Sequence, residues 1–349
     1  MKGARFVLPL LLTAMSVRAQ EPLIVKDSLG RQTAVPSVVR RVISLEPEIT
    51  RLIVALGAGE ALVGEDYFLR THDHIFPVIF PAGRRLPVVS NKGQDLNYEL
   101  AVRLAPDIVF SSPSETGMTE SIQNKLRVPV VALASVGKIE SLLEELRLVG
   151  GILGRRERAV ELERFFRERM AAVRSALADV PGGKRPRVYL AFWGTLTRTP
   201  VTYEPVDIAG GVNLAAGLLP PALGAPGTFV SAERILAWDP DIILVHGNYP
   251  PADRLVTVEG ILADPRFHSL KAVREKSVRY TFGYWYWWDP AQVLLEIQYL
   301  ARLFYPQRFH GFDLEAEGNL IYEKFYGLKE GYTAIARILN SREWLRATK

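Results

Sequence analysis

Short runs of β-branched and aliphatic residues alternate along most of the chain with segments that have helical periodicity. Strict alternation of this kind is typical of parallel sheets covered by helices, and it predicts an α/β fold. The pattern pauses near residue 139 and resumes after residue 183, so two α/β units are expected. The predicted strands are 41–45, 107–110, 128–133, 187–192, 241–245 and 277–281, and the predicted helices are 49–56, 96–104, 120–126, 206–214, 232–237 and 291–303.

The interruption is a stretch of forty residues, 139–178, with helical periodicity and no proline. Three glycines divide it, and Pro181-Gly182-Gly183 ends the second part. The chain is therefore expected to form two Rossmann-like α/β lobes joined by one long rigid helix, with a ligand cleft between the lobes. The expected boundaries are an N-terminal lobe over 20–154, a linking helix over 155–182, a C-terminal lobe over 183–311 and a helical tail over 312–349. Residues 66–95, rich in Pro and Gly, read as a long functional loop.

The first 19 residues have the pattern of a secretory signal peptide. Lys2 and Arg5 precede an apolar stretch too short to span a bilayer, and Val17 and Ala19 suit cleavage before Gln20. The chain contains no cysteine, so we expect no lipid anchor of the bacterial lipoprotein type. The expected location of the mature protein is the periplasm.

Composition excludes several classes of function. Without cysteine there can be no disulfide, iron–sulfur cluster or thiol nucleophile. Removal of residues 1–19 lowers the formal net charge from +5 to +2, which gives no electrostatic case for nucleic acid. The GxSxG, HExxH and GxxxxGK[ST] motifs are absent, so binding is expected rather than catalysis, with an extracytoplasmic hydrolase as the alternative.

One segment occurs twice. ELAVRLAPDIVF begins at Glu99 and ERILAWDPDIIL begins at Glu233, and in each the Glu stands seven residues before a Pro-Asp pair and a strand. Each Glu is placed in the first turn of a helix, where the helix dipole favours a negative charge. The helix dipole is enough to explain a single glutamate at such a position. Two glutamates at matching points on two lobes also suggest a pair of exposed carboxylates that one partner could contact.

The order and spacing of several motifs resemble a periplasmic substrate-binding protein of the iron-chelate and vitamin B12 class. The segments that carry the resemblance are RVISLEPEITRLIVALGAGEALVG, LNYELAVRLAPDIVF, FVSAERILAWDPDIIL, DIAGGVNLA and SVRYTFGYWYWWDPAQVLLEIQYLARLFYPQRF, within residues 40–309. The resemblance implies an inner-membrane ABC permease with its ATPase as partner, and it implies that Glu99 and Glu233 contact permease arginines. The family usually has Thr-Glu in its first helix, whereas this chain has Thr50-Arg51.

The candidate ligand contacts are aromatic, hydroxyl and arginine side chains. Clustered rings offer flat, polarizable walls to a planar or aryl chelate, and groups at the carboxyl ends of strands face the usual ligand position of an α/β sheet. Arginines suit the carboxylates of an anionic chelate. The candidates are Tyr67, Phe68, Arg84, Arg85, Ser111, Ser112, Trp193, Arg198, Tyr203, Tyr284, Trp285, Trp287 and Trp288.

The expected ligand is a metal chelate: a ferric siderophore, a corrinoid or haem. An oxyanion such as molybdate or tungstate, held by the serines and arginines, is the alternative, together with a bare metal ion. His72-Asp73-His74 offers ligating groups, but consecutive loop residues rarely converge on one ion, and the other histidines lack ligand spacing. No resident cofactor and no metal ligand set are predicted.

Overall fold

The computed structural model describes residues 21–90, 96–112, 116–133, 137–192, 194–219, 227–282 and 288–340. The predicted signal peptide lies outside this part of the chain. Within the described residues the N-terminal lobe holds an antiparallel β1–β2 hairpin and a parallel sheet in the order β4-β3-β5-β6. Its elements are β1 (Leu23–Lys26), β2 (Gln32–Val35), β3 (Val42–Ser44), α1 (Pro47–Ala55), β4 (Leu62–Gly64), α2 (Tyr67–His72), α3 (Phe76–Ile79), α4 (Tyr98–Leu104), β5 (Ile108–Ser111), α5 (Thr116–Leu126) and β6 (Val130–Ala132).

Two helices follow the first sheet and lead to the second lobe. They are α6 (Ile139–Ile152) and α7 (Arg156–Ala176), which pack against each other. Gly150 permits their close approach, since a Cβ at that position would stand 2.7 Å from the Cβ of Ala159. The long helix predicted from the sequence is thus α7, between the two sheets.

The C-terminal lobe repeats the first. Its described parallel sheet has the order β12-β11-β7-β9, so in both lobes the strands are arranged second, first, third, fourth by chain order. Its elements are β7 (Arg187–Ala191), β8 (Arg198–Thr199), α8 (Glu204–Ile208), β9 (Val212–Asn213), β10 (Thr228–Phe229), α9 (Ala232–Trp238), β11 (Ile242–His246), α10 (Val258–Ala263), α11 (Lys271–Arg274), β12 (Val278–Thr281), α12 (Pro290–Phe304), α13 (Leu314–Tyr326) and α14 (Gly331–Ile338). The α/β prediction with two Rossmann-like lobes is confirmed.

The repeated segments have matching structures. Helices α4 and α9 begin at capping residues Asn97 and Ser231, and each ends in a left-handed residue just before its Pro-Asp pair. In the first copy the carboxylate of Asp107 accepts the amide of Arg41, and in the second Asp241 accepts the amide of Arg187. Each Pro-Asp pair therefore fixes the start of the central strand of its own sheet.

The helices of the expected helical tail, α13 and α14, connect the lobes. Helix α13 packs on α12 of the C-terminal lobe and on α1 of the N-terminal lobe, and α14 packs on α3. One continuous apolar core runs from Val25 through α6, α7 and α12 to Leu339. The lobes therefore share a core.

The stretch expected to be a loop contains several short helices. Asp66 caps α2 by accepting the amides of Phe68 and Leu69, and Asp73 caps α3 by accepting those of Ile75 and Phe76. A 3-10 turn at Pro81–Arg85 follows. No helix in the described residues is long and apolar enough to cross a membrane.

Candidate ligand-binding site between the lobes

A cavity of about 630 Å³ lies between the lobes, and we call it the interlobe cavity. In each sheet the carboxyl ends of the first and third strands mark the point where connections diverge to opposite sides, which is where α/β sheets place ligands. The residues that line the interlobe cavity, within the described part of the chain, are Thr71, His72 and His74 from the N-terminal lobe and Ala191, Gly194, Val245, His246, Tyr249, Ala252, Asp253, Arg254, Leu255 and Val256 from the C-terminal lobe.

The N-terminal wall is the junction between α2 and α3. His72 ends α2, and His74 lies 3.3 Å from the Asp253 carboxylate across the cavity, measured from Nε2 to Oδ2. Between them Asp73 is buried and points away to cap α3. The wall is therefore held by Asp73 and presents two imidazoles.

The C-terminal wall follows β11. His246 is 5 % exposed and packs against the rings of Phe192 and Tyr249 at centroid distances of 5.6 and 5.0 Å. Burial, with Arg254 acting in the same direction, lowers the pKa of His246 to about 3, so its imidazole is neutral at neutral pH. Arg254 itself donates to the carbonyls of Tyr249 and Leu339.

Asn248 is fully buried, and in the sequence it lies between two residues that line the cavity, His246 and Tyr249. Neither its amide nitrogen nor its amide oxygen has a hydrogen-bond partner among the described residues. A buried amide without partners costs free energy, so such a group calls for a ligand or water as its partner. The sequence analysis did not identify Asn248 as a candidate.

Behind the cavity an ionic contact joins the lobes, and we call it the Arg51 junction: Arg51, Asp73, Asp289 and Tyr326. Arg51, on α1, is fully buried. Its Nε and Nη2 donate to Asp73 over 2.8 and 2.6 Å, and its Nη1 donates to Asp289 Oδ2 over 2.8 Å. Asp289 also caps α12 and accepts a hydrogen bond from the Tyr326 hydroxyl. The junction thus connects α1, the α2–α3 turn, α12 and α13.

Several buried carboxyls have raised pKa values. Burial raises the pKa of Glu48 to about 8, and the neighbouring carboxyls of Asp66 and Glu145 act in the same direction. Burial likewise raises the pKa of Glu65, Asp66 and Glu296 to about 7. In the folded protein these carboxyls keep protons that they would release in the unfolded chain near their ordinary pKa of about 4.

Stability is expected to fall as the pH rises from 6.5 to 8. A carboxyl with a raised folded-state pKa contributes stability that is complete below its ordinary pKa of about 4 and is lost progressively until the pH reaches the raised value, here about 7 to 8. His246 acts with the opposite sign, but only below its ordinary value of 6.5. Thermal unfolding across this range should show a decrease in Tm of several degrees. Glu48→Gln should flatten the curve and the exposed Glu120→Gln should not; a Tm that rises would contradict the assignment.

The aromatic candidates are divided by the structure. Tyr67 and Phe68 are half-buried in the first turn of α2, and their ring centroids lie 6.2 and 5.5 Å from that of the cavity residue His72. Tyr203 and Trp288 are each 1 % exposed and pack together in the shared core, so they support the site from behind and are not accessible to a ligand. The remaining four, Trp193, Tyr284, Trp285 and Trp287, lie outside the described residues.

The polar candidates do not converge on the cavity. Arg84 and Arg85 are exposed on the 3-10 turn, and Arg198 lies over the ring of Phe229. Ser111 is buried, with its hydroxyl 3.3 Å from that of Thr119, and Ser112 is half-buried and accepts from Thr119 through its carbonyl. No group of three or more His, Asp or Glu side chains suited to a metal ion occurs in the described residues.

Comparison with known proteins identifies the family of this chain. A family model described as "Periplasmic binding protein" matches residues 42–283. The chain belongs to the periplasmic binding protein family. The resemblance inferred from the sequence is confirmed, and so is the assignment to the solute-binding proteins of ABC importers.

Individual relatives cover most of this periplasmic binding protein. It is 27 % identical over 359 residues to the molybdate-binding protein MolA of Haemophilus influenzae, covering 93 % of this chain and 97 % of that one. It is 26 % identical over 248 residues to a cobalamin-binding protein of Halobacterium salinarum, covering 70 % and 63 %. The solved structure of MolA bound to molybdate superimposes with a TM-score of 0.74 at 24 % identity, covering 87 % and 98 %. This likeness shows that the fold is shared.

Proposed function

We propose that this protein is a periplasmic receptor that captures a metal chelate in the interlobe cavity and delivers it to the permease of an ABC importer. Its action is binding and not chemistry. The observation that carries the proposal is the interlobe cavity itself, about 630 Å³ with imidazoles on both walls. Residues 1–19 direct export and are removed before Gln20.

Size and chemistry both favour a chelate. Sites for organic ligands usually measure about 300–1,000 Å³, a range that includes the interlobe cavity and far exceeds the volume of a four-oxygen anion. The neutral His246 and the half-buried His74 can bond to polar groups of the chelate or complete the coordination of its metal. The ring of Tyr249 supplies apolar surface.

Molybdate is the second candidate, because a relative aligned over 93 % of the chain is a molybdate-binding protein. An oxyanion needs several convergent donors. Arg254 on the described wall is engaged by carbonyls, Asp253 brings a negative charge, and Ser111 already bonds to Thr119. The described walls therefore favour the chelate.

Calorimetric titration of the mature chain tests the proposal. The panel is a ferric catecholate siderophore, cobalamin, haemin and molybdate. We expect saturable one-to-one binding of a chelate, at least tenfold weaker in His246→Leu. Binding of molybdate alone would replace the proposal with the second candidate, and binding of no member of the panel would overturn it.

Docking to the permease is assigned to Glu99 and Glu233. Both lie in the first turn of equivalent helices, α4 and α9, and both are exposed, with 85 % of the Glu99 side chain accessible. Hydrogen bonds from its own backbone amide and from Ser231 lower the pKa of Glu233, which keeps it ionised. Each lobe thus presents one carboxylate to basic groups on the membrane component.

Asn248→Leu is expected to raise stability and weaken ligand binding. The change removes two buried polar atoms that lack partners, a cost of about 1–3 kcal/mol in a folded protein, so Tm should rise by several degrees. The ligand loses a hydrogen-bonding group, so its affinity should fall about tenfold.

Asn213→Leu is the matched control, measured by the same melting and titration experiments. Asn213 is also buried, but its side chain donates to the carbonyl of Pro200 and accepts from the amide of Ala215. Its replacement should lower Tm and leave affinity unchanged. If the two variants lower Tm equally, Asn248 has a structural role and the assignment is wrong.

A further inference from the structure

The Arg51 junction is the buried ionic contact described above between the two lobes. Arg51 and Asp73 belong to the N-terminal lobe, and Asp289 precedes α12 in the C-terminal lobe. The side chains of all three are at most 1 % exposed, so solvent does not weaken their attraction. Arg51 binds Asp73 with two nitrogens and Asp289 with the third, which uses every nitrogen of the guanidinium.

Each end of the junction leads to a wall that matters for the ligand. Asp73 stands between His72 and His74, so its bond to Arg51 fixes the segment that lines the N-terminal side of the cavity. Asp289 caps α12 in the C-terminal lobe, and a second buried carboxyl on that helix, Glu296, accepts the amide of Phe282 just after β12. Helix α12, which begins at the Asp289 cap, is therefore bonded to the sheet whose strand β11 leads into the C-terminal wall.

Apolar packing alone would not fix the orientation of one lobe relative to the other. The shared core stabilises contact between the lobes without direction, and small shifts of one lobe would leave most of it intact. Hydrogen bonds to a planar guanidinium weaken sharply when their angles change, so the junction admits one relative orientation of α1 and α12. In some proteins a buried ion pair fixes register in this way even though it adds little net stability.

We infer that Arg51 and Asp289 are positioning residues that set the separation of the lobes and so the width of the interlobe cavity before ligand arrives. The ligand-binding part of this inference rests on the proposed function, whereas the lobe separation can be measured without any ligand.

Asp289→Asn removes the ion pair between Arg51 and Asp289 and changes little else. The amide oxygen of Asn can still accept the amides of Ala291 and Gln292 at the start of α12, while its NH2 group faces the Arg51 donor and cannot bond to it. Arg51 and Asp73 remain as a neutral pair. The matched control is Asp313→Asn, since Asp313 caps α13 in the same way and makes no ion pair within the described residues.

Pulsed electron–electron double resonance between spin labels at Asn124→Cys and Glu275→Cys measures the separation of the two lobes. Both positions are exposed, one on each lobe, and the chain has no cysteine of its own. Asp313→Asn should keep one narrow distance distribution. Asp289→Asn should broaden it at least twofold and should weaken binding of the chelate identified by titration about tenfold.

An unchanged distribution in Asp289→Asn overturns the inference, whatever the ligand result. A broadened distribution with unchanged affinity retains the lobe separation but overturns the link to the cavity. If the parent protein binds none of the panel, the proposed function fails while the distance measurement still decides this inference. Should circular dichroism show Asp289→Asn unfolded, the triple variant R51M/D73N/D289N, which leaves no buried charge in the junction, replaces it with the same expected broadening.

Discussion

Replacement of both Glu99 and Glu233 by Lys is expected to abolish uptake while leaving ligand affinity unchanged within twofold. In the proposed docking, each substitution turns an attractive contact with a basic permease site into a repulsive one, and like charges at an interface cost several kcal/mol. The two residues are exposed at helix starts away from the described cavity lining, so the cavity is untouched. Transport of labelled ligand into cells lacking the native receptor, with titration of the purified variant, measures both quantities.

The control for this charge reversal is Glu120→Lys with Glu275→Lys. These two glutamates are also exposed, one on each lobe. Their replacement by Lys changes the net charge by the same amount as the Glu99 and Glu233 substitutions. Uptake should persist in the control. Uptake that survives in the Glu99/Glu233 variant, or is lost equally in both, would show that docking uses another surface.

Arg51→Met is expected to destabilise the protein by about 3–5 kcal/mol. The substitution leaves the carboxylates of Asp73 and Asp289 buried without their cation, and breaking a buried ion network from one side costs about that much. Urea unfolding followed by circular dichroism measures the loss. Part of it should be recovered at pH 5, because a carboxyl deprived of its cation and of water gains stability by binding a proton.

Arg266→Met is the comparison for this loss. Arg266 also pairs with an aspartate, Asp264, but its side chain is 74 % exposed and water screens the pair, so no measurable change in unfolding free energy is expected. A loss below about 1 kcal/mol in Arg51→Met would mean that the shared core holds the lobes without the junction.

The order of the lobes and the matching starts of α4 and α9 could be predicted from local sequence. The Pro-Asp pairs at Pro106 and Pro240 each end a helix and begin a strand, and this chemistry involves neighbouring residues alone. The placement of Glu99 and Glu233 in first turns is confirmed for the same reason. Strand ends differ from prediction by at most two residues, which is the usual fraying of element ends.

The junction behind the cavity could not be predicted, because its partners are far apart in the chain. Arg51 and Asp289 are 238 residues apart, and only packing of α1 against the C-terminal helices brings them together. The unusual Thr50-Arg51 pair was the available signal. Similarly, Trp288 reads as an exposed ring beside a helix start, yet burial against Tyr203 depends on the tertiary fold.

The packing of α13 and α14 across both lobes has a consequence for biogenesis. These helices are synthesised after all the elements they contact, so α1, α3 and α12 each lack a contacting surface until they emerge. The nascent chain therefore cannot close into its final form before α14 has been made. For the export proposed above, this order of assembly leaves the precursor time to cross a membrane before it folds.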